Sequence, residues 1–291
     1  KSEDEFYDYL YGFNKIVLGG SPMYGIGNPY VKISLSNCIA IDGPEDSISG
    51  IFDKSKGMAN LFKARCGVGM PMDNLRPDGS VVNNSAGFST GAWSFAQLYS
   101  DTCNTIGQRG RRGALMLTMS VKHPDILKWV VMKRNKSAVN RANISVMITD
   151  DFMRAVKNNE DWTLQWPLDV PVEKAKYVNT IRARDLWNTI NESATMCAEP
   201  GIIFIDTYMN NLPANEYPDF KSICVNPCSE ILLSAYDSCR LTSINLKNFV
   251  LNPFTNEATF DFESFEKAVR MGMRIMDNIV DLEIEAVQNI I

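Results

Sequence analysis

Short apolar runs alternate with longer amphipathic stretches along almost the whole chain, and this pattern constrains the fold more than any other feature. Alternation of strand-like and helix-like segments predicts an α/β fold, either a barrel or a layered sheet. The predicted strands lie around Cys38 and at 114–117, 144–148, 202–205 and 239–245, and the predicted helices lie at 6–10, 47–65, 93–105, 124–132, 151–158, 183–196 and 262–284. Asp46 is the predicted N-cap of the helix at 47–65.

Composition places the chain among large globular proteins. Its 291 residues, 45% of them hydrophobic, are enough to bury a sizeable core as one α/β domain. A net charge of −5 argues against a general nucleic-acid binder. No apolar run approaches the length of a membrane span, and the charged start Lys1-Ser2-Glu3-Asp4-Glu5 does not resemble a signal peptide. We therefore expect a soluble cytoplasmic protein.

The stretch Asn226-Pro227-Cys228-Ser229-Glu230 sets an amide, a thiol and a carboxylate at alternate positions. In an extended segment, alternate side chains share one face. A cysteine between a hydrogen-bonding amide and a possible base suits a thiol-based enzyme. The alternative interpretation is structural, because Asn-Pro favours turn initiation and a polar-flanked cysteine is common near turns.

Two further cysteines, Cys38 and Cys239, lie in short apolar runs that are typical of strands. The seven cysteines fit neither a small disulfide scaffold nor paired zinc knuckles. A zinc site from Cys224, Cys228 and Cys239 is poorly supported, since the only histidine, His123, lies far upstream and is predicted to be structural. We predict no metal site. The remaining thiols are predicted to be buried small hydrophobic residues or bystanders, namely Cys66, Cys103, Cys197 and Cys224.

Further motifs occur in a fixed order along the chain, and with the three cysteines they resemble the large, catalytic subunit of ribonucleotide reductases. The similarity is greatest to the adenosylcobalamin-dependent type. The motifs are Glu45-Asp46-Ser47-Ile48, Cys66-Gly67-Val68-Gly69, Leu75-Arg76-Pro77, Gly107 to Gly113, His123-Pro124-Asp125-Ile126, Asn143-Ile144-Ser145-Val146 and Glu199-Pro200-Gly201-Ile202-Ile203-Phe204-Ile205-Asp206.

The resemblance implies an oxidoreductase that converts ribonucleoside di- or triphosphates to 2′-deoxyribonucleotides for DNA replication. It implies that Cys228 forms a thiyl radical and that Glu230 accepts a proton. Asn226 would hydrogen-bond the substrate or Glu230. Cys38 and Cys239 would supply reducing equivalents as they form a disulfide.

The resemblance also implies nucleotide-binding residues. Ser21 and Asn37 correspond to small polar residues that touch the substrate, although relatives commonly have serine at the position of Asn37. An allosteric site for a dNTP or ATP effector would include Asp46, Ser47, Arg76, Gln108, Arg109 and Arg112. Guanidinium groups are well suited to phosphate and nucleobase oxygens. The segment Val81-Val82-Asn83-Asn84-Ser85 lacks an arginine that some relatives supply.

The implied fold is a ten-stranded α/β barrel of two five-stranded halves, with the radical cysteine on a finger loop through the centre. Residues 1–30 would form a helical lead-in, and residues 31–291 would form an incomplete barrel domain with the first half-barrel and the finger loop. Because relatives continue beyond the equivalent of Ile291, we expect the front half of a split or truncated reductase that needs a C-terminal half.

The implied cofactor is adenosylcobalamin, bound mainly by residues outside this chain; the alternative radical source is a separate metal-bearing small subunit. A thioredoxin- or glutaredoxin-type protein would reduce the cysteine pair again. Homodimerisation through the helix at 93–105 is a further expectation. The alternative function is a catalytically inert nucleotide-binding or interaction fragment.

Overall fold

The computed structural model describes residues 3–106 and 113–287, so the predicted effector residues Gln108, Arg109 and Arg112 lie outside the described residues. The helices are α1 (Glu3–Leu10), α2 (Gly20–Gly25), α3 (Ile48–Lys63), α4 (Ala92–Ile106), α5 (Ile126–Val131), α6 (Asp150–Asn158), α7 (Ala183–Cys197), α8 (Ile205–Asn211) and α9 (Phe262–Val287). The strands are β1 (Ile16–Leu18), β2 (Cys38–Ala40), β3 (Gly67–Pro71), β4 (Leu115–Ser120), β5 (Asn143–Ile148), β6 (Asp161–Trp166), β7 (Tyr177–Arg182), β8 (Gly201–Phe204), β9 (Ser222–Val225), β10 (Leu232–Ser234), β11 (Ser238–Cys239), β12 (Thr242–Ile244), β13 (Val250–Leu251) and β14 (Thr259–Phe260).

The chain divides into two compact units. The central unit comprises Cys38–Ser238, and the terminal unit comprises Lys1–Asn37 together with Cys239–Ile291. The predicted domain boundary between residues 30 and 31 stays a prediction. No helix among the described residues has the length and apolar character that crossing a membrane requires.

The central unit is built on a parallel sheet in the order β2-β3-β4-β5-β8, and Ser238 of β11 lies at the edge beyond β2. In the register, Cys38 pairs with Gly67 and Gly69 pairs with Met116. Helices connect successive strands, as parallel pairing requires. The predicted α/β class is therefore confirmed.

The main core of the central unit lies between this sheet and its helices. Residues of β4 and β5 such as Leu117 and Val146 are fully buried, because helices cover the strands of a parallel sheet. Two large residues bury their rings while their polar atoms keep partners. The Tyr99 hydroxyl donates to the Ile51 carbonyl at 3.2 Å, and the Trp129 indole N–H donates to the Ser145 carbonyl at 3.3 Å.

The N-cap of α3 corrects one prediction. Ser47, and not Asp46, caps the helix, because the Ser47 Oγ accepts a hydrogen bond from the Gly50 N–H at 3.0 Å. The Asp46 carboxylate instead accepts hydrogen bonds from Arg76, at 2.7 Å from Nε and 3.1 Å from the backbone N–H.

Other element boundaries also differ from the predictions. The strand predicted at 202–205 ends at Phe204, because Ile205 begins α8. The strand predicted at 239–245 is two short strands, β11 and β12, and the helix predicted from 124 begins at Ile126. The antiparallel β6–β7 hairpin was not predicted. Most of β7 is exposed, so its sequence lacks a clear apolar alternation.

In the terminal unit, α9 packs its apolar face on the antiparallel β1–β12 pair, with Ile16, Met271 and Ile275 in the core. The buried Glu283 carboxylate of α9 accepts hydrogen bonds from the Ser34 hydroxyl and the Leu35 N–H. Both partners precede Cys38 in the chain, so α9 holds the segment that leads to that cysteine.

His123 is a fully buried structural residue of the central unit. Its Nδ1 accepts the Asp125 N–H at 3.0 Å, and its Nε2 lies 2.9 Å from the Leu75 carbonyl oxygen. A neutral ring with the proton on Nε2 satisfies both contacts. Burial lowers the pKa of His123 from 6.5 to about 4, although the hydrogen bond to Leu75 opposes the shift.

We expect His123 to make folding stability depend on pH. The unfolded chain takes up the proton near pH 6.5 and the folded chain only near pH 4, so the stabilisation is complete above pH 6.5 and is lost as the pH falls. The advantage of wild type over His123→Gln in unfolding free energy should shrink by about 2 kcal/mol between pH 7 and pH 5. Urea unfolding at both pH values measures it, and an unchanged difference would contradict a buried neutral ring.

Burial also raises the pKa values of Asp73 and Asp125 to about 6, against hydrogen bonds from backbone N–H groups. Their ionisation in the folded state is penalised, so they lower stability as the pH rises from 4 to 6. This loss of stability with rising pH opposes the gain that His123 provides. Comparing wild type with His123→Gln is therefore more informative than the pH profile of wild type alone.

Candidate functional site

The sequence-predicted thiol motif forms the turn of the β9–β10 hairpin. Val225 pairs with Leu232, and the intervening residues close on themselves. The Asn226 N–H donates to the Ile231 carbonyl at 3.1 Å, the Ile231 N–H donates to the Asn226 Oδ1 at 3.2 Å, and the Ser229 N–H donates to the Asn226 carbonyl at 2.9 Å. The Asn226 side chain therefore helps to define the turn that carries Cys228.

The prediction that alternate residues of this motif share one face, as in an extended strand, was wrong. Residues 227–230 form turns and bends, and Ser229 has a left-handed φ of 66°. Asn226 is fully buried, whereas Cys228 and Glu230 are exposed. Asn-Pro initiates a turn here, as the alternative interpretation stated, and a turn can present a thiol and a carboxylate without a strand.

Glycines of β3 allow this hairpin to approach the sheet closely. A Cβ at Gly69 would overlap the carbonyl oxygen of Val225. A Cβ at Gly67 would lie 2.9 Å from the Pro227 Cγ and 3.4 Å from the Cys38 Sγ. The sulfur of Cys38 and the residue before Cys228 thus pack against the same point of β3.

Cys224, which precedes Val225 in β9, belongs to a largely buried polar cluster. The Cys224 Sγ lies 3.5 Å from the Thr118 hydroxyl oxygen, and the Asp73 carboxylate accepts the Ser120 N–H at 2.7 Å. Burial raises the pKa of Cys224 to about 12, and the nearby Asp73 contributes to the rise. Cys224 is therefore an unreactive thiol that packs β9 against β4.

The burial of three other cysteines fits the structural role predicted for them. Cys66 and Cys103 are buried, and Cys197 is partly buried. Burial raises the pKa of Cys103 to about 11, while the charge of Arg141 opposes the rise. Among the residues that the structure describes, no group of three or more His, Cys, Asp or Glu side chains could hold a metal ion.

The terminal unit contains the other predicted substrate and redox residues, Ser21, Asn37 and Cys239. The Asn37 N–H donates to the Cys239 carbonyl at 2.9 Å, and its Oδ1 accepts the Leu241 N–H at 3.1 Å. Cys239 is buried. The Ser21 hydroxyl is also buried, and it has no hydrogen-bond partner among the described residues.

Three predicted effector residues line a separate cavity in the central unit. Asp46, Ser47 and Arg76 surround about 310 Å³ together with apolar residues that include Ile51 and Phe95. The Arg76 guanidinium also donates to the Val81 carbonyl at 3.1 Å. Because Asp46 and Val81 already engage this guanidinium, only part of it can face a phosphate.

The sequence motifs did not reveal the packing role of Gly67 and Gly69 or the contact of Tyr208 with the turn. The Tyr208 hydroxyl donates to the Ser229 carbonyl at 2.6 Å. A glycine inside a strand often marks a close backbone approach, so Gly67 and Gly69 carried a signal. No sequence signal pointed to Tyr208, because Ser229, the residue that it contacts, lies 21 residues further along the chain.

Comparisons with known proteins identify the family of the chain. A family model described as "Ribonucleotide reductase, barrel domain" matches residues 36–290. A vitamin B12-dependent ribonucleoside-diphosphate reductase of Thermoplasma acidophilum is 34% identical over 238 residues, which are 81% of this chain and 30% of the relative. One of Mycobacterium tuberculosis (strain ATCC 25618 / H37Rv) is 33% identical over 241 residues, which are 82% of this chain and 32% of the relative.

A ribonucleoside-diphosphate reductase large subunit of Variola virus is 28% identical over 271 residues, 85% of this chain and 35% of the relative. The chain thus spans about a third of the length of these curated relatives. The match to the barrel-domain family covers most of the chain and includes the parallel sheet and the turn at Cys228. The chain therefore belongs to the ribonucleotide reductase family.

Proposed function

We propose that this chain contributes the thiol chemistry of a ribonucleotide reductase, in which a thiyl radical at Cys228 starts the reduction of a ribonucleotide. The observation that carries the proposal is the packing of the Cys228 turn and the Cys38 sulfur against one point of β3. Exposure of both Cys228 and Glu230 suits residues that must reach a substrate and a radical generator.

Each step has a residue of suitable chemistry. The Cys228 thiyl would take the 3′-hydrogen of the ribose, and Glu230 would accept the 3′-hydroxyl proton. The 2′-hydroxyl would leave as water with a proton from the pair Cys38 and Cys239, which supplies two electrons as its disulfide forms. The hydrogen held by Cys228 would return to C3′, and an external dithiol would reduce the pair again.

The proposed cysteine pair has indirect support in the central unit. The Tyr236 N–H donates to the Ala40 carbonyl at 2.7 Å, and the Ala40 N–H donates to the Asp237 carbonyl at 3.0 Å. The segment that leads to Cys239 therefore runs beside β2, the strand on which Cys38 lies. Burial of both thiols suits a pair that must avoid non-specific oxidation.

The proposed radical source is adenosylcobalamin, since the relatives from Thermoplasma acidophilum and Mycobacterium tuberculosis are named B12-dependent. This cofactor supplies an organic radical that can take the hydrogen atom of a thiol. The exposed thiol of Cys228 fits such a reaction, because its sulfur can be reached from outside the turn. A small metal-bearing subunit is the alternative source.

The proposed substrate and effector sites use the remaining predicted residues. The buried hydroxyl of Ser21 has unused hydrogen-bonding capacity that a substrate oxygen could satisfy. The cavity beside Asp46, Ser47 and Arg76 is a suitable size for part of an effector dNTP. A thioredoxin- or glutaredoxin-type reductant and a homodimer complete the proposed set of partners.

Reconstitution tests the proposal against the inert alternative. This chain, supplied with the C-terminal half of a reductase and with adenosylcobalamin, should form deoxyribonucleotide from a ribonucleotide. Without an external reductant, it should stop near one product per chain with Cys38 and Cys239 joined, as peptide mapping would show. A correctly folded complex that forms neither product nor disulfide would favour an inert nucleotide-binding or interaction fragment.

A further inference from the structure

The hydroxyl of Tyr208 makes a direct hydrogen bond to the turn that carries Cys228. It donates to the carbonyl oxygen of Ser229 at 2.6 Å, while the N–H of Ser229 donates to the Asn226 carbonyl at 2.9 Å. Both backbone polar groups of Ser229 are therefore held. Ser229 has a φ of 66°, which is an uncommon conformation for a residue other than glycine. A strained residue of this kind persists when its surroundings fix it.

The ring of Tyr208 is itself held in place. It extends from α8 and packs against the apolar cluster that includes Ile203, Val225 and Leu232. Val225 and Leu232 are the hairpin residues that flank the turn. Tyr208 thus hydrogen-bonds the turn, and its ring packs on a cluster to which both strands of the hairpin contribute. Its helix, α8, follows directly after β8 of the parallel sheet. Only three residues separate Tyr208 from Phe204, the last residue of β8.

We infer that Tyr208 is a positioning residue that fixes the Ser229 peptide and so sets the directions in which Cys228 and Glu230 project. Cys228 and Glu230 are the two sequence neighbours of Ser229, so rotation of this peptide changes the orientation of the thiol and the carboxylate. The catalytic part of this inference rests on the proposed function; the structural part does not. Tyr208 acts through the Ser229 carbonyl, whereas Asn226 closes the turn through its own hydrogen bonds with Ser229 and Ile231.

The test compares Tyr208→Phe with Tyr217→Phe. Both changes remove one hydroxyl, but Tyr217 is 63% exposed, and its ring contacts Phe220 instead of the turn. Amide hydrogen exchange in the intact chain should become about three- to tenfold faster at Ser229 and Ile231 in Tyr208→Phe. Exchange in β4 and β5 should be unchanged, as should exchange throughout Tyr217→Phe. The midpoint of thermal unfolding shows whether the fold is kept.

Kinetics in the reconstituted reductase then separate positioning from packing. In Tyr208→Phe, kcat should fall about tenfold, while KM for the ribonucleotide should stay within about twofold, since the tyrosine positions reacting groups and not the substrate. Unchanged amide exchange would overturn the inference, whether or not the chain is a reductase. Faster exchange with an unchanged kcat would overturn the positioning role. If wild type forms no deoxynucleotide, the proposed function fails, and amide exchange alone decides whether Tyr208 holds the turn.

Discussion

Replacing Cys228 by serine is expected to abolish deoxyribonucleotide formation by the reconstituted reductase, by a factor on the order of 10⁴ or more, or above about 5 kcal/mol in activation free energy. A serine hydroxyl does not give up its hydrogen atom to an organic radical as a thiol does, so the reaction cannot start. The fold should persist, because Cys228 is exposed on a turn and a change there costs about 0.5 kcal/mol or less.

Cys197→Ser provides a matched control for this experiment. Cys197 is partly buried at the end of α7, and its thiol lies 3.1 Å from the Ser193 carbonyl oxygen, a contact that a serine hydroxyl can also make. Activity should therefore be retained. Product formation by Cys228→Ser above a tenth of the wild-type rate would contradict the assignment of the radical to Cys228. Loss of activity in both variants would indicate a general sensitivity to thiol replacement.

Replacing Gly69 by alanine is expected to produce the largest loss of stability, about 3 kcal/mol or more in the free energy of unfolding. The added methyl group would overlap the Val225 carbonyl oxygen and approach the Asn226 Cα at 3.4 Å. The three nearest atoms all belong to the backbone of Val225 and Asn226, so no flexible side chain can move aside and β9 must shift away from β3. Because β9 leads directly to the Cys228 turn, reductase activity should fall together with stability.

Gly57→Ala is the matched control for the effect of adding a methyl group to glycine. Gly57 lies within α3 and is exposed, and its added Cβ would have no atom within 4 Å apart from the neighbouring backbone of its own helix. Alanine favours the helix, so this variant should gain about 0.5–1 kcal/mol. Urea unfolding of both proteins measures the two effects. Equal stabilities of wild type and Gly69→Ala would show that β9 does not pack on β3 as described.

The fold class was predictable because strands and helices have local signatures. The runs at 144–148 and 183–196 match β5 and α7 within one residue at each end, since apolar periodicity records which face of an element is buried. The hairpin of β6 and β7 was missed because this periodicity is weak there. Its second strand is mostly exposed, so its pairing with β6 leaves little periodicity in the sequence.

The sequence by itself determined the α/β class, most of the helices, strands such as β4 and β5, and the residue types of the thiol motif, because these depend on local spacing and side-chain chemistry. It did not predict β3, β9 or β10. The sequence offered a turn at Asn226–Glu230 as one of two interpretations. Only the tertiary structure decided that Gly67 and Gly69 admit this turn against β3 and that Tyr208 hydrogen-bonds it. Each of these features joins residues that are distant in the chain or depends on which side of a sheet a backbone approaches. Such contacts arise from long-range packing, which local periodicity does not encode.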